Sequence, residues 1–200
     1  LVRPELWAGY FDNPSGTMTA WGDATLVPRW LHFVTASVAV GGLSLAMIGH
    51  GRAKRSDPGG WALKSEGLAV FGWATVVQAL LGLWWLLALP PQVLAPFLGA
   101  APVATGHLVA GIAGAAATAA LAFKGRPMAS AGALVFTVGL MVAMRGMLRQ
   151  FYLAPHFDAS SLPVVSEPST VAMFLGCFAL SLIVVVWAAK HPKADPKGVK

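Results

Sequence analysis

The sequence predicts an all-α integral membrane protein in which five transmembrane helices form a bundle, with an N-terminal segment on the outer face. Of its 200 residues, 56% are hydrophobic and only 11% are charged, whereas soluble domains carry about 25% charged residues. The charges cluster between long apolar runs. Five of these runs reach the roughly 20 residues that a helix needs to cross a bilayer core of about 30 Å.

Proline and glycine mark the ends of the predicted helices. Pro28 precedes the first helix, and the run Ser-Asp-Pro-Gly-Gly at 56–60 separates it from the second. Pro90 and Pro91 end the second helix, and Pro102 opens the third. The predicted helices therefore cover residues 29–50, 67–90, 103–125, 128–153 and 169–190.

The distribution of lysine and arginine predicts the orientation. Most basic residues lie on one side of the membrane: Arg52, Lys54, Arg55, Lys64, Lys124, Arg126, Lys190, Lys193, Lys197 and Lys200. Cytoplasmic loops carry an excess of these residues, so this side is expected to face the cytoplasm of a bacterial cell. The topology explains the net charge of +6. A nucleic-acid partner is not expected, because no soluble domain offers a basic face.

The segments outside the helices have separate predicted roles. Residues 1–28, rich in aromatic side chains, are expected to lie as an interfacial segment on the periplasmic surface. Residues 29–190 form the bundle, and residues 191–200 form a basic cytoplasmic tail. Because the sequence begins with Leu1 rather than Met, a cleaved signal or a further N-terminal helix is expected to have carried the N-terminus outwards.

Two histidines within the predicted spans are candidate ligands. His32 lies four residues past Pro28 and His107 lies five residues past Pro102, so both lie about 6–7 Å into helices that enter from the same side. Ionisable residues inside a membrane are costly and mark functional sites. Two neutral imidazoles suit the axial positions of a b-type haem, which predicts these two as ligands of one haem b near the outer face. Hydrogen bonding between helices is the alternative.

Small residues follow each histidine at positions i+4 and i+7, on the same helical face. After His107 these are Gly111 and Gly114, and alanines take both positions after His32. The small residues predict a flat apolar slot for the macrocycle, with close helix packing as the alternative. Gln78, a lone polar residue midway along the second helix, is expected to bond across helices.

Arg145 and Arg149 share one face of the fourth helix near its outer end. Arginine binds carboxylates in a bidentate fork, so the pair is expected to bind haem propionates or to polarise a quinone. The alternative is that both reach the lipid headgroups or pair with Asp158 and Glu167.

Three further residues near the outer side are candidates for the same site. Tyr152 and His156 are candidate quinone-site residues, and His156 is also an alternative haem ligand or an ordinary loop residue. Met173 is an alternative axial ligand, although packing is the commoner use of methionine.

Several chemistries are excluded by the sequence. Cys177 is the only cysteine, so covalent c-type haem attachment, a disulfide framework and cysteine-ligated zinc or iron–sulfur sites are excluded. Phosphate-binding loops and the common hydrolase motifs are absent from the sequence. The scarcity of polar side chains is consistent with electron transfer, which needs few catalytic side chains because the cofactor supplies the chemistry.

The stretch from His32 to Pro58 resembles the first helix and following loop of subunit I of the cytochrome bd quinol oxidases. In both, a histidine near the outer end of a helix precedes a glycine-containing apolar run and a basic loop with Asp-Pro. The run Arg-Trp-Leu-His at 29–32 also resembles helix starts in other small membrane cytochromes b. The resemblance implies a haem site at His32. It does not extend to oxygen reduction, because the chain is less than half as long as the oxidase and lacks counterparts of its quinol-binding loop and intramembrane glutamates.

The expected function is therefore that of a small cytochrome b subunit. It would pass electrons between membrane quinone and a periplasmic redox subunit such as a c-type cytochrome, in a complex with other membrane subunits. Residues 1–28 and 154–168 are expected to dock the periplasmic partner. The alternative is a haem-free scaffold or small transporter subunit, in which the histidines bind a metal ion or join helices.

Overall fold

The computed structural model describes residues 22–155, 161, 163 and 167–190, and the regular structure of this part of the chain is helical. It contains five helices that are long and apolar enough to cross a membrane, which confirms the predicted fold class. In chain order the helices are α1 (Leu26–Ala53), α2 (Pro58–Leu87), the short α3 (Pro91–Leu94), a 3₁₀ helix (Ala95–Leu98), α4 (Pro102–Phe123), α5 (Pro127–Leu153) and α6 (Pro168–Lys190).

The start of α2 differs from the prediction, which placed it near residue 67. The helix begins at Pro58, because the Asp57 side chain accepts a hydrogen bond from the Gly59 N–H at 2.9 Å. Proline suits the first helical position, because the N–H that it lacks would have no intrahelical acceptor there. Aspartate is a preferred N-cap. Pro28 likewise lies in the first turn of α1 rather than before it. Both prolines therefore lie in the first turn of a helix.

The Asp57 cap also carries an ion pair. The Arg52 Nε donates to the Asp57 carboxylate at 2.7 Å, and this hydrogen bond, with a smaller contribution from the Gly59 N–H, holds the pKa of Asp57 below its ordinary value of 3.8. Since the pKa is depressed by folding, the stabilisation is present above the ordinary pKa and is lost as the pH falls through the lowered one.

We expect this cap to make the bundle acid-sensitive. Lowering the pH from about 6 to about 3 should decrease the thermal unfolding midpoint of the wild type more than that of Asp57→Asn, which keeps an acceptor for Gly59 but has no charge to lose. The difference will be small, because both side chains are exposed to solvent. Parallel pH profiles of the two proteins, measured by circular dichroism, would contradict this account.

Helices α1, α2, α4 and α5 form a bundle. Contacts join α1 to α2, α2 to α4, α4 to α5 and α5 to α1, which places α1 and α4 at opposite corners. The loops at 54–57 and 124–126 lie at one end, here called the basic end, and the connection at 88–101 lies at the opposite end. Helix α6 belongs to a second compact unit, in which the Phe174 and Phe178 rings stack with centroids 6.3 Å apart.

Glycines bring the backbones of α1 and α2 into direct contact. A Cβ atom added to Gly67 would lie 2.5 Å from the Ala46 nitrogen and 2.7 Å from the Gly42 oxygen. One added to Gly49 would meet the Lys64 nitrogen and lie 2.9 Å from the Gly60 oxygen. Small residues that allow such close approach are typical of helix packing in membranes. This pairing fixes how the faces of α1 and α2 meet along the bundle.

Two apolar clusters fill the bundle. The first joins α1, α2 and α4 from the middle of the bundle towards the basic end: Ala39, Leu43, Ala46, Leu68, Phe71, Ala74 and Ala122. The second lies at the opposite end: Leu86, Leu89, Val93, Phe97, Ala104 and Leu148. There the Phe97 and Phe151 rings meet edge to face, with centroids 5.6 Å apart. The connection at 88–101 therefore closes that end of the bundle.

Candidate functional site

His32 lies half-buried between α1 and α2. Its Nε2 is 3.1 Å from the amide nitrogen of Gln78, so Gln78 makes the interhelical bond predicted for it. An amide nitrogen only donates, which makes Nε2 the acceptor and leaves the ring proton on Nδ1. That Nδ1 is buried and has no hydrogen-bond partner in the described part of the chain. The ring also lies beside Gly82, whose added Cβ would be 3.9 Å from the ring Cε1.

In His107 the hydrogen-bonded ring nitrogen is Nδ1, whereas in His32 it is Nε2. Its Nδ1 lies 2.8 Å from the Val103 carbonyl oxygen, one turn earlier on α4. Because a carbonyl only accepts, Nδ1 donates, and the neutral ring has its lone pair on Nε2. Metal-ligating histidines are oriented by this kind of contact through the nitrogen that does not bind the metal. The half-buried His107 is therefore in the tautomer that an axial ligand requires.

The two histidines differ in how well they fit a haem. His107 fits directly, because its Nε2 is the lone-pair nitrogen. His32 fits once the Gln78 amide leaves its Nε2, which costs one interhelical hydrogen bond, on average about 0.6 kcal/mol in a membrane protein. Across the helix interface, His32 contacts Gln78 and Gly82 of α2. The pairing of the two imidazoles across one iron stays a prediction.

Side chains of α5 occupy the space above the two glycines of α4. An added Cβ would lie 3.6 Å from the Met144 sulfur at Gly111 and 2.6 Å from the Thr137 hydroxyl at Gly114. These contacts agree with the packing interpretation of both glycines. A role of Gly111 and Gly114 in binding the haem macrocycle stays a prediction. The Met144 sulfur lies beside Gly111, which follows His107 by one helical turn.

The two arginines lie on the exposed surface of α5 near the end opposite the basic loops. Arg145 and Arg149 are both exposed, and neither forms an ion pair within residues 22–155. Of their alternative partners, Asp158 lies outside the described residues, and the Glu167 carboxylate accepts a bond from the Thr170 hydroxyl at 3.1 Å. Their contact with a propionate or a quinone stays a prediction.

The remaining candidates lie on different elements of the chain. Tyr152 packs against the apolar cluster at the end opposite the basic loops, and Met173 is 67% exposed on α6. His156 lies outside the described residues, as do residues 1–21 and 191–200. Within the described chain, no group of three or more histidine, cysteine or acidic side chains is placed to hold a metal ion. Axial haem ligation needs only two side chains.

An apolar groove runs between α1 and α2 beside the His32–Gln78 pair. Its volume is about 520 Å³, and it is lined by Val34, Thr35, Val38, Ala69, Val70, Trp73, Ala74 and Val77. Thr35 follows His32 by one turn of α1, and Ala74 precedes Gln78 by one turn of α2. One end of the groove therefore lies a single turn from the polar pair.

Comparison with known proteins identifies no relative. No protein-family model matches the chain, and no curated protein or solved structure is significantly similar to it. The resemblance of residues 32–58 to subunit I of the cytochrome bd oxidases therefore stays a prediction.

Proposed function

We propose that this chain is the membrane-embedded b-type cytochrome subunit of an electron-transfer complex. It passes electrons between the quinone pool and a periplasmic redox subunit such as a c-type cytochrome. One observation carries the proposal: the Val103 carbonyl holds the Nδ1–H of His107 at 2.8 Å, so that a lone-pair nitrogen is presented inside an apolar span. Such a nitrogen is costly in a membrane unless it binds something.

The residues of the chain have distinct roles in this proposal. His107 and His32 hold the iron of haem b, with the Gln78 amide giving way at His32. The haem, when bound, supplies one-electron chemistry. Arg145 and Arg149, which are exposed and form no ion pair within residues 22–155, bind its propionates or polarise a quinone. Tyr152 and His156 belong to the quinone side of the site.

The proposal includes a location and an orientation. The basic end of the bundle faces the cytoplasm of a bacterial inner membrane, following the excess of lysine and arginine there. Residues 1–28 and 154–168 then lie on the periplasmic side, where they dock the redox partner. Other membrane subunits cover the remaining apolar surface, including the exposed side chains of α6.

The absorption spectrum of the purified chain tests this function. Protein expressed with an adequate haem supply and purified in detergent should show a Soret band and a sharp α band after reduction, as expected for a haem with two axial protein ligands. A colourless but folded preparation would contradict the proposal and favour the haem-free scaffold. Circular dichroism of the same sample establishes that the helices are formed.

A further inference from the structure

We infer that the groove between α1 and α2 binds one phosphatidylethanolamine molecule. An acyl chain lies in the groove, the phosphate lies at Lys124 and Arg126, and the ammonium group lies at Glu66. The inference goes beyond the proposed function and does not depend on it, because it uses none of the proposed haem or quinone residues.

The groove is a shallow apolar channel on the membrane-facing surface of the bundle. Its volume is about 520 Å³, and its α2 wall extends from Ala69 to Val77, about 12 Å along the helix. Trp73 lines the groove and is 65% exposed, and Thr35 is the one lining residue with a hydroxyl group. Such a groove suits an acyl chain, which is apolar along its length and needs no hydrogen-bond partner in the wall.

The last residue of α4 packs against the wall of the groove. The Phe123 and Trp73 rings meet edge to face with centroids 5.4 Å apart, and a Cβ added to Gly72 would lie 2.7 Å from the Phe123 ring. Helix α4 has 22 residues, about the length that crosses the hydrocarbon core. The residues after Phe123 therefore lie beside the groove at the level of the lipid headgroups.

Lys124 and Arg126, in the turn after α4, provide two positive charges at that level. Both are exposed, and neither forms an ion pair within residues 22–155. A lysine or arginine beside a membrane surface gains about 1 kcal/mol from the negative charge of the lipids, and arginine can bind a phosphate through two parallel hydrogen bonds. A lipid phosphate beside these two residues therefore gains charge pairing and hydrogen bonds while its acyl chain stays in the groove.

Glu66 provides one negative charge at the same end of the groove. It precedes Ala69 and Val70 by three and four residues, so it lies one turn from the groove on the same face of α2. It is about 10 Å along the helix from Trp73, and it is the last charged residue before the apolar run that begins at residue 67. Glu66 is exposed and forms no ion pair within residues 22–155, so its carboxylate is available to a cationic group.

The combination of two cations and one carboxylate distinguishes between lipid headgroups. The ammonium group of phosphatidylethanolamine has three N–H donors and can bind a carboxylate as a lysine does. The choline group of phosphatidylcholine has no N–H to donate, and phosphatidylglycerol has no positive charge for Glu66. Of these three phospholipids, phosphatidylethanolamine alone offers a partner to each of the three charged residues.

Competition between phospholipids tests the inference. The full chain, stripped of lipid in detergent, is mixed with equal amounts of phosphatidylethanolamine, phosphatidylglycerol and phosphatidylcholine that carry the same acyl chains. Native mass spectrometry then identifies the bound lipid. We expect one phosphatidylethanolamine per chain in preference to the other two, and excess inorganic phosphate should not displace it, because the acyl chain contributes to binding.

Glu66→Gln tests the contact with the ammonium group. The preference for phosphatidylethanolamine over phosphatidylglycerol should fall about fivefold, the ratio that corresponds to the loss of one ion pair of about 1 kcal/mol. Glu167→Gln is the matched control, because it makes the same change in the second compact unit of the chain, and it should keep the wild-type preference.

Two further variants test the phosphate and the acyl chain. Lys124→Gln combined with Arg126→Gln should weaken the binding of all three lipids about tenfold, because each lipid has a phosphate. Lys54→Gln combined with Arg55→Gln removes the same charge from the exposed turn between α1 and α2, and it should leave binding unchanged.

Ala69→Phe should also weaken the binding of all three lipids, since it places a ring in the groove. Ala79→Phe places the same ring on an exposed part of α2 outside the groove, and it should bind lipid as the wild type does.

Three outcomes would overturn the inference. The first is a wild-type chain that shows no preference for phosphatidylethanolamine, and the second is a preference that Glu66→Gln leaves unchanged. The third is an equal loss of lipid in the variants at 54–55 and at 124–126, which would show that positive charge in general, rather than this site, attracts the lipid.

Discussion

Gly49→Ala is expected to destabilise the bundle by about 1–3 kcal/mol, the usual cost of forcing extra atoms into a packed interface. The added methyl group would meet the backbone of α2 at Lys64 and at the Gly60 oxygen, 2.9 Å away. A backbone cannot rotate aside as a side chain does, so the two helices must separate locally. The free energy of unfolding, measured by titrating the detergent-solubilised chain with SDS and following circular dichroism, should decrease by this amount.

Gly41→Ala is the matched control, because it makes the same change in the same helix. A Cβ at Gly41 meets nothing within 4 Å, and alanine is a better helix former than glycine by up to about 1 kcal/mol. The free energy of unfolding should therefore stay constant or rise. If both variants were equally stable, the close approach of α1 and α2 would not contribute to stability.

His107→Ala is expected to remove the haem from the proposed cytochrome. Of the two proposed ligands, His107 is the one whose Nε2 is already free for iron, so the haem content per chain should fall by about tenfold or more. His107→Gly leaves space for a free imidazole, and adding imidazole to the purified variant should restore the reduced α band. The measurement is the optical spectrum together with haem quantified against protein.

His50→Ala serves as the control for this prediction. His50 is a half-buried histidine at the basic end of α1, far along the chain from the proposed ligands, and its loss should leave the spectrum unchanged. His32→Ala should lower the haem content as well, because it removes the second proposed ligand. A wild-type spectrum in both His107→Ala and His32→Ala would refute the assignment of the ligands.

For the polar residues inside the spans, the sequence predicts that a partner is needed but not which residue supplies it. Gln78 was expected to bond across helices, because a lone amide in an apolar span needs a partner, and this was confirmed. Its partner is His32, 46 residues earlier, which spacing along a helix does not reveal. The carbonyl of Val103 as the partner of His107 was open to prediction, since one turn separates them. Nothing in the sequence distinguishes that carbonyl from an acceptor on a neighbouring helix.

The number of membrane helices follows from the apolar runs of the sequence alone, because a bilayer admits only long apolar segments whose backbone is satisfied internally. Pro28 was expected to precede the first helix and Pro58 to lie in a break, but both lie in the first turn of a helix, and the Asp57 cap makes Pro58 the start of α2. The tertiary structure decided which helices are neighbours. It also decided which ring nitrogen of His32 and of His107 remains free. Apolar periodicity is weak in a helix that is hydrophobic all round. The faces of α1 and α2 that meet are those on which glycines such as Gly49 and Gly67 contact the opposing backbone.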